Sequence, residues 1–312
     1  MTKKQCTYNI IIPHHNNPVL LRRCLDSIPQ RKNIQVIVVD DNSDAQYIDE
    51  VKAACDAHSN TRCFLTTEGR GAGFARNQAL QHVNSKWVIF SDADDYFLPD
   101  AFTIFDEHQN SEADIIYFNS ACRFSDTGEE SNRSDHIATM IDAFLNTPNE
   151  DSEGQLRYNY NEPWGKMVRA SLIFDNKIQF EETRWANDVH FSTAIGVYAK
   201  QIVADKRQVY CVTVSRGSLV HQHSIESRRC RYEVQLRNNQ YLREVGKAQF
   251  QTSLMYSLRW AAHYGGIKAV WDFIKLGRKY NANFFIGANK WIKNYFVSRK
   301  EYKGKEQYIQ QS

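Results

Sequence analysis

The sequence predicts an α/β fold, a largely parallel sheet covered by helices and followed by a helical extension. Three observations carry this. Over the first 120 residues, short β-rich runs alternate with helical patterns, as βαβ units require. Two wholly apolar runs, residues 34–39 and 87–90, each break abruptly into an acidic cluster. From residue 228 onward the chain turns basic, aromatic-rich and helical in pattern.

Residues 8–12 form the first expected strand. Asn17 then offers a helix N-cap, Pro18 suits the first helical position, and Leu21, Cys24, Leu25 and Ile28 recur at helical spacing until Pro29. Residues 34–39 read as a strand buried on both faces, ending in Asp40, Asp41, Asn42, Ser43 and Asp44. Residues 63–66 and 87–90 read as further strands, and residues 72–83 between them as a helix with Ala75, Ala79 and Val83 on one face. The strand at 87–90 ends in Ser91, Asp92, Ala93, Asp94 and Asp95. In open α/β sheets ligands bind outside the carboxyl ends of the strands, so both acidic clusters are expected on one crevice. Farther on, the sequence predicts a strand at 115–119, a surface loop at 125–135, a helix at 137–145, and a turn at 162–166 leading into an apolar element near Phe174. Asn187 caps a helix carrying Phe191, Ala194, Ile195 and Tyr198, with Asp188 in its first turn, and residues 208–214 alternate as a strand.

At 312 residues and 36.3 kDa, with 42% hydrophobic and 24% charged residues, the chain fits one large domain or a domain with an appendage. A mean hydropathy of -0.58 and the lack of an 18-residue apolar run argue against a membrane span, and the N-terminus lacks the pattern of a signal peptide, so a cytoplasmic chain is expected. Seven scattered cysteines, none closer than eight residues, fit reduced packing residues. Charge divides the chain. Residues 1–227 carry 22 Lys and Arg against 31 Asp and Glu, a net of -9, whereas residues 228–312 carry 17 against 5, a net of +12. We therefore expect a domain at 1–227 and a basic, aromatic-rich helical extension at 228–312. The extension fits either an anionic surface, such as the inner face of the plasma membrane, or a face packed on the domain.

Asp92 and Asp94 sit one residue apart at a strand end, where like charges beside a low-dielectric core raise each other's pKa. Oxygen donors suit Mg²⁺ or Mn²⁺, which would relieve that cost; a polar turn capping the next helix is the other reading. The glycines at 69, 71 and 73 superficially match a dinucleotide fingerprint, but that motif should follow the first strand directly.

The D-x-D does not stand alone. Pro13-His14-His15-Asn16 after the first strand, Val39-Asp40-Asp41-Asn42-Ser43 after the second, Ala75-Arg76-Asn77 in the helix after the glycines, and Phe90-Ser91-Asp92-Ala93-Asp94-Asp95 together resemble, in order, the family 2 glycosyltransferases of GT-A fold. Pro163-Trp164-Gly165-Lys166 looks like the family's W-x-K segment, and Asn187-Asp188 stands where most members have Glu-Asp. The resemblance is strongest over 8–98 and fades beyond about residue 220.

The resemblance implies a Rossmann-like mixed sheet flanked by helices, and an inverting glycosyltransferase of bacterial surface-polysaccharide type. Pro13 and His15, the latter in place of the usual Tyr, would line a uracil pocket. Asp41 or Asp40 would accept from the uracil N3–H, and Arg76 would lie on the base and ribose side. Asp92 would approach ribose and metal, Asp94 would be the principal ligand of Mn²⁺ or Mg²⁺, and Asp188 would be the general base. Trp164, Lys166, His221 and His223 are candidate acceptor or diphosphate contacts. The implied partners are a UDP-sugar donor, a saccharide or lipid-linked saccharide acceptor and an anionic membrane surface, with no nucleic acid. A nucleotidyltransferase or a non-catalytic nucleotide-binding protein of this fold are the alternatives.

Overall fold

The computed structural model describes residues 6–214 and 224–286. The chain divides into two compact units, residues 1–222 and 223–312. In the first, β1 (Cys6–His14), α1 (Pro18–Asp26), β2 (Ile34–Asp41), α2 (Ala45–Asp56), β3 (Thr61–Thr66), α3 (Ala72–Leu80) and β4 (Ser85–Phe90) form successive βαβ units. The apolar runs of β1, β2 and β4 are buried, and α1 starts as expected, with the Asn17 side chain accepting from the Leu20 amide. There follow β5 (Tyr96–Phe97), α4 (Ala101–His108), β6 (Ile115–Phe124), α5 (Asp135–Asn146), α6 (Glu150–Asn159), β7 (Lys166–Arg169), α7 (Ala170–Asp175), α8 (Val189–Tyr198) and β8 (Ile202–Val214).

All eight strands among the described residues form one sheet in the order β3-β2-β1-β4-β7-β6-β8-β5. The sheet is mixed rather than largely parallel: β7 enters antiparallel to both β4 and β6, and β5 is antiparallel to β8. The sequence expectation of an apolar element up to Phe174 merges β7 with α7. β8 begins six residues before the predicted strand, because its charged stretch at 205–207 lies where the register against β6 slips near Asn119. The register pairs His14 with Asp40, Asp41 with Thr66 and Ile11 with Phe90, so the carboxyl ends of β1, β2 and β4 open on the same edge.

Helix α8 is fixed at both ends. Near its start, Ser192 accepts from Lys166 Nζ at 3.4 Å. At its finish, Arg157 of α6 donates Nη1 to the carbonyls of Gly196 and Ala199 at 2.9 and 2.7 Å, a cation on the negative end of the helix dipole. The approach is close enough that a Cβ on Gly196 would lie 2.1 Å from the Arg157 carbonyl oxygen.

The second unit contains α9 (Ile225–Glu244) and α10 (Met255–Lys279), the latter broken at Gly266, whose φ of +63° suits glycine. Its core gathers Tyr232, Leu236, Leu254, Ala261 and Phe273, with the Tyr232 and Phe273 rings stacked at 4.6 Å. No helix among the described residues is long and apolar enough to cross a membrane. No disulfide joins any of the seven cysteines, all of which lie in the described residues.

Candidate active site

The edge where β1, β2 and β4 end is a cleft in two continuous parts. One, of about 670 Å³, is lined by Pro13, His15, Asp41, Asn42, the loop 69–72, Arg184 and Asn187. The other, of about 340 Å³, shares Pro13, His15 and Ala72 and adds Arg76, Asp92, Asp94, Arg133 and Trp164.

Strand alternation separates the two aspartates of β2. Asp40 is fully buried and faces away from the cleft: it accepts from His14 Nδ1 at 2.7 Å, from the Ser43 amide at 2.9 Å and from the Ser43 hydroxyl at 2.5 Å. Burial alone would raise its pKa, but these bonds hold it below the ordinary range. His14 Nε2 in turn accepts from the Asn17 amide at 3.1 Å, joining the strand ends to the start of α1. The expectation that Asp40 shares donor binding is therefore corrected: its carboxylate is buried and taken up by His14 and Ser43. Asp41 faces the cleft and accepts from the Thr66 hydroxyl and from the amides of Arg70 and Gly71. A carboxylate offers about four acceptor sites, so one remains for a ligand. The glycine cluster finds its use here. With φ of +64° at Gly69 and +94° at Gly71, the loop turns its amides onto Asp41. His15 is exposed and anchored by a 3.0 Å bond between Nδ1 and the Asp41 carbonyl.

At the second cluster, Asp92, Asp94 and Asp95 have carboxylate oxygens within 4.8 Å of one another. Asp95 is buried and spent internally, accepting from Tyr210 Oη at 3.0 Å and from the Thr213 amide at 2.7 Å. Tyr210 Oη also accepts from the Asp92 amide at 2.8 Å, and its ring stacks on Trp164 at 5.5 Å. Trp164 thus backs the acidic turn. Asp94 is itself exposed, but desolvation by the cleft walls, and next the charge of Asp92, raise its pKa to about 6. Two adjacent cleft-facing carboxylates, the charge of Asp92 adding to the rise at Asp94, fit a hard divalent cation, which they would hold through oxygen.

Arg76 ties the acidic turn to the far wall. Nη2 donates to Asp92 Oδ1 at 2.6 Å and Nη1 to Asn187 Oδ1 at 2.8 Å, with the guanidinium over the Phe180 ring. Helix α3 lies so close to that wall that a Cβ on Gly73 would meet the Glu181 carbonyl oxygen at 2.1 Å and Asn187 Cβ at 3.0 Å. Asp188 is the N-cap of α8 rather than a first-turn residue, and its side chain makes no capping bond. Burial raises its pKa to about 6 against the charge of Arg76, with Glu162 and Asp92 adding to the rise. Burial therefore outweighs the helix dipole expected to depress it.

The expectation that Lys166 contacts acceptor or diphosphate is corrected. The residue is fully buried, donating Nζ to the carbonyls of Tyr160 and Glu162 at 2.6 and 2.7 Å, and burial lowers its pKa to about 7. His221 and His223 lie outside the described residues. Sequence reasoning missed Tyr210, Arg133 and Glu162. Only the adjacency of Glu162 to Trp164 offered a signal.

The glycosyl transferase family 2 profile matches residues 9–191. EpsH of Bacillus subtilis, which carries a glycosyltransferase name, is 24% identical over 77% of this chain and 70% of its own length. The poly(ribitol-phosphate) β-N-acetylglucosaminyltransferase TarS of Staphylococcus aureus is 28% identical over 65% of this chain, which spans only 35% of TarS. A crystal structure of TarS residues 1–349 with UDP-GlcNAc superposes with a TM-score of 0.61 at 21% identity, covering 86% of this chain and 81% of that one. The Pyrobaculum calidifontis mannosyltransferase PcManGT, solved with GDP-Man and Mn²⁺, gives 0.56 at 15% identity, covering 97% and 83%. These likenesses establish the GT-A fold. With the profile spanning more than half its length, the chain belongs to glycosyl transferase family 2.

Proposed function

We propose that the chain transfers a sugar, with inversion, from a UDP-linked donor to a hydroxyl of a saccharide or lipid-linked saccharide during synthesis of a cell-surface polymer. The observation that carries this is the continuity of one cleft from Asp41, with an acceptor site to spare, to Asp92 and Asp94, with Asp188 beside its wall. Asp41 accepts from uracil N3–H, and His15 and Pro13 flank the base. Asp92 and Asp94 hold Mn²⁺ or Mg²⁺, which when bound offsets the charge of the departing diphosphate. Asp188, with its pKa at about 6, is ionised at neutral pH yet basic enough to take the acceptor hydroxyl's proton as that oxygen attacks the anomeric carbon. Arg76 positions Asp92 and, through Asn187, the segment bearing Asp188. Support also comes from TarS, named for action on poly(ribitol phosphate) and solved with a uridine donor.

The second unit brings the enzyme to a membrane surface from the cytoplasmic side. Tyr264, Ile267 and Trp271 are 67%, 79% and 60% exposed, and Lys268 and Lys275 lie among them. Trp260 and Phe273, by contrast, are buried, and Trp291, Tyr295 and Phe296 lie outside the described residues.

The test is a panel of nucleotide sugars with Mn²⁺, read by hydrolysis and thermal shift. A UDP-sugar at 100 times its Kd should stabilise the protein by about 2.7 kcal/mol. Preference for GDP or CDP sugars would overturn the uridine assignment.

A further inference from the structure

Among the described residues four arginines line the cleft, and three of them are engaged. Arg70 pairs with Glu182, Arg76 pairs with Asp92, and Arg184 lies over the Trp185 ring at 4.9 Å. The half-buried guanidinium of Arg133 has no hydrogen-bond or ion-pair partner among the described residues.

Its backbone is nevertheless held. Arg133 lies in a single 3-10 turn, Asn132–Ser134, between β6 and α5. The next residue, Ser134, is buried and donates its hydroxyl to the Ser120 carbonyl at 3.0 Å, while the Arg133 carbonyl is bonded by His136 Nδ1 at 3.1 Å. His136 also pairs with Glu162 at 3.2 Å, two residues before Trp164. Arg133 acts electrostatically on Asp94 on one side and on His136 on the other. That sets it between the D-x-D pair and the Glu162–Trp164 corner, and it does not line the part of the cleft around Asp41 and Gly71.

A partly desolvated guanidinium without an acceptor is unfavourable, and here the nearby Asp94 carboxylate offsets it in part. A divalent cation held by Asp92 and Asp94 removes that offset, because the ion's two charges cancel those of the two carboxylates and leave the guanidinium uncompensated. Arg133 is then a second positive charge beside the metal, and the site calls for an anion. A planar guanidinium fits two phosphate oxygens at once, which an ammonium does not.

We infer that Arg133 binds a phosphate of the acceptor, so that the enzyme glycosylates a phosphodiester-bearing polymer such as a polyol phosphate in preference to a neutral saccharide. This rests on the donor and D-x-D assignments proposed above and names the class of acceptor for that same cleft.

The experiment measures binding, without turnover, on the full chain with Mn²⁺. UDP is titrated first, then a synthetic ribitol phosphate oligomer in the presence of UDP, for the wild type, Arg133→Gln and Arg133→Lys. Loss of one charge-assisted contact predicts oligomer binding weakened about 10- to 100-fold in Arg133→Gln and less in Arg133→Lys, with the UDP Kd within about twofold of wild type. Equal weakening of UDP would move Arg133 to the donor diphosphate and overturn the inference. So would oligomer binding that ignores the substitution, or a wild type that binds UDP but not the oligomer. A wild type that fails to bind UDP at all would instead overturn the donor reading. Unchanged melting temperatures in the variants exclude a folding defect.

Discussion

Arg76 and Asp92 form a 2.6 Å ion pair in which the arginine side chain is 5% and the aspartate 33% exposed, so one partner is fixed inside the fold while the other faces the cleft. The same guanidinium reaches Asn187 at 2.8 Å, and through it the D-x-D turn and the segment leading to Asp188 behave as one assembly. Asn187 occupies the place where the family usually has Glu. The amide oxygen keeps the acceptor that Arg76 needs and leaves Asp188 without an adjacent carboxylate.

The acidic turn makes stability depend on pH and metal. Asp94 and Asp188 each have a folded-state pKa of about 6, against about 3.9 for an unfolded aspartate. The native state therefore binds more protons than the unfolded state between about pH 4 and 6, and the contribution of these groups to stability falls as pH rises through that window. Mn²⁺ should raise the melting temperature more at pH 7 than at pH 5. Asp94→Ala should remove this metal response and metal-dependent UDP binding, and Asp92→Ala should weaken both. A metal response equal at both pH values, or preserved in Asp94→Ala, would place the ion elsewhere.

The two β2 aspartates should separate by assay. Asp41→Ala should weaken uridine binding by about 1.5–3 kcal/mol in calorimetry, the scale of a hydrogen bond to a charged group. Asp40→Ala should instead destabilise the fold by roughly 3–5 kcal/mol in denaturant melts, since it strands His14 in a buried site. Matching effects of the two changes on uridine affinity and on stability would contradict their opposite facing.

The difference between these neighbours was not legible in the sequence. β2 is apolar on both faces, so nothing in its pattern tells which of two consecutive aspartates points outward; its pairing with His14 in β1 decides it. The strand-end clusters themselves were legible, because an abrupt change from apolar run to acid marks a strand's carboxyl end on the cleft. Lys166 was misjudged because lysine is ordinarily a surface residue, and only the fold brings the Tyr160 and Glu162 carbonyls around its ammonium. Helix α6 escaped notice for a related reason: apart from Leu156 and Tyr158 its sequence is polar, and its buried Arg157 is accommodated by the end of α8, 39 residues away.

Gly73→Ala tests how tightly α3 is seated. The added methyl meets the Glu181 carbonyl, so the wall must shift, with an expected loss of about 1–3 kcal/mol in thermal unfolding and a drop in transfer rate as Asn187 moves off Arg76. Wild-type stability and rate together would show that the wall yields freely.

For the second unit, sedimentation with anionic vesicles at low salt should pull down the full chain, and replacing Ile267 and Trp271 by Ala should release it. A chain that ignores such vesicles has no membrane-binding face there.

Transfer by Asp188→Asn is the most direct test of the central claim. The amide keeps the size and packing of the carboxyl group but cannot take a proton, so the variant should fold normally, bind UDP with Mn²⁺ as wild type does, and lose on the order of 10²-fold or more in transfer rate. The wild-type rate should climb with pH through about 6 and then level. Undiminished transfer by Asp188→Asn would contradict its assignment as the base.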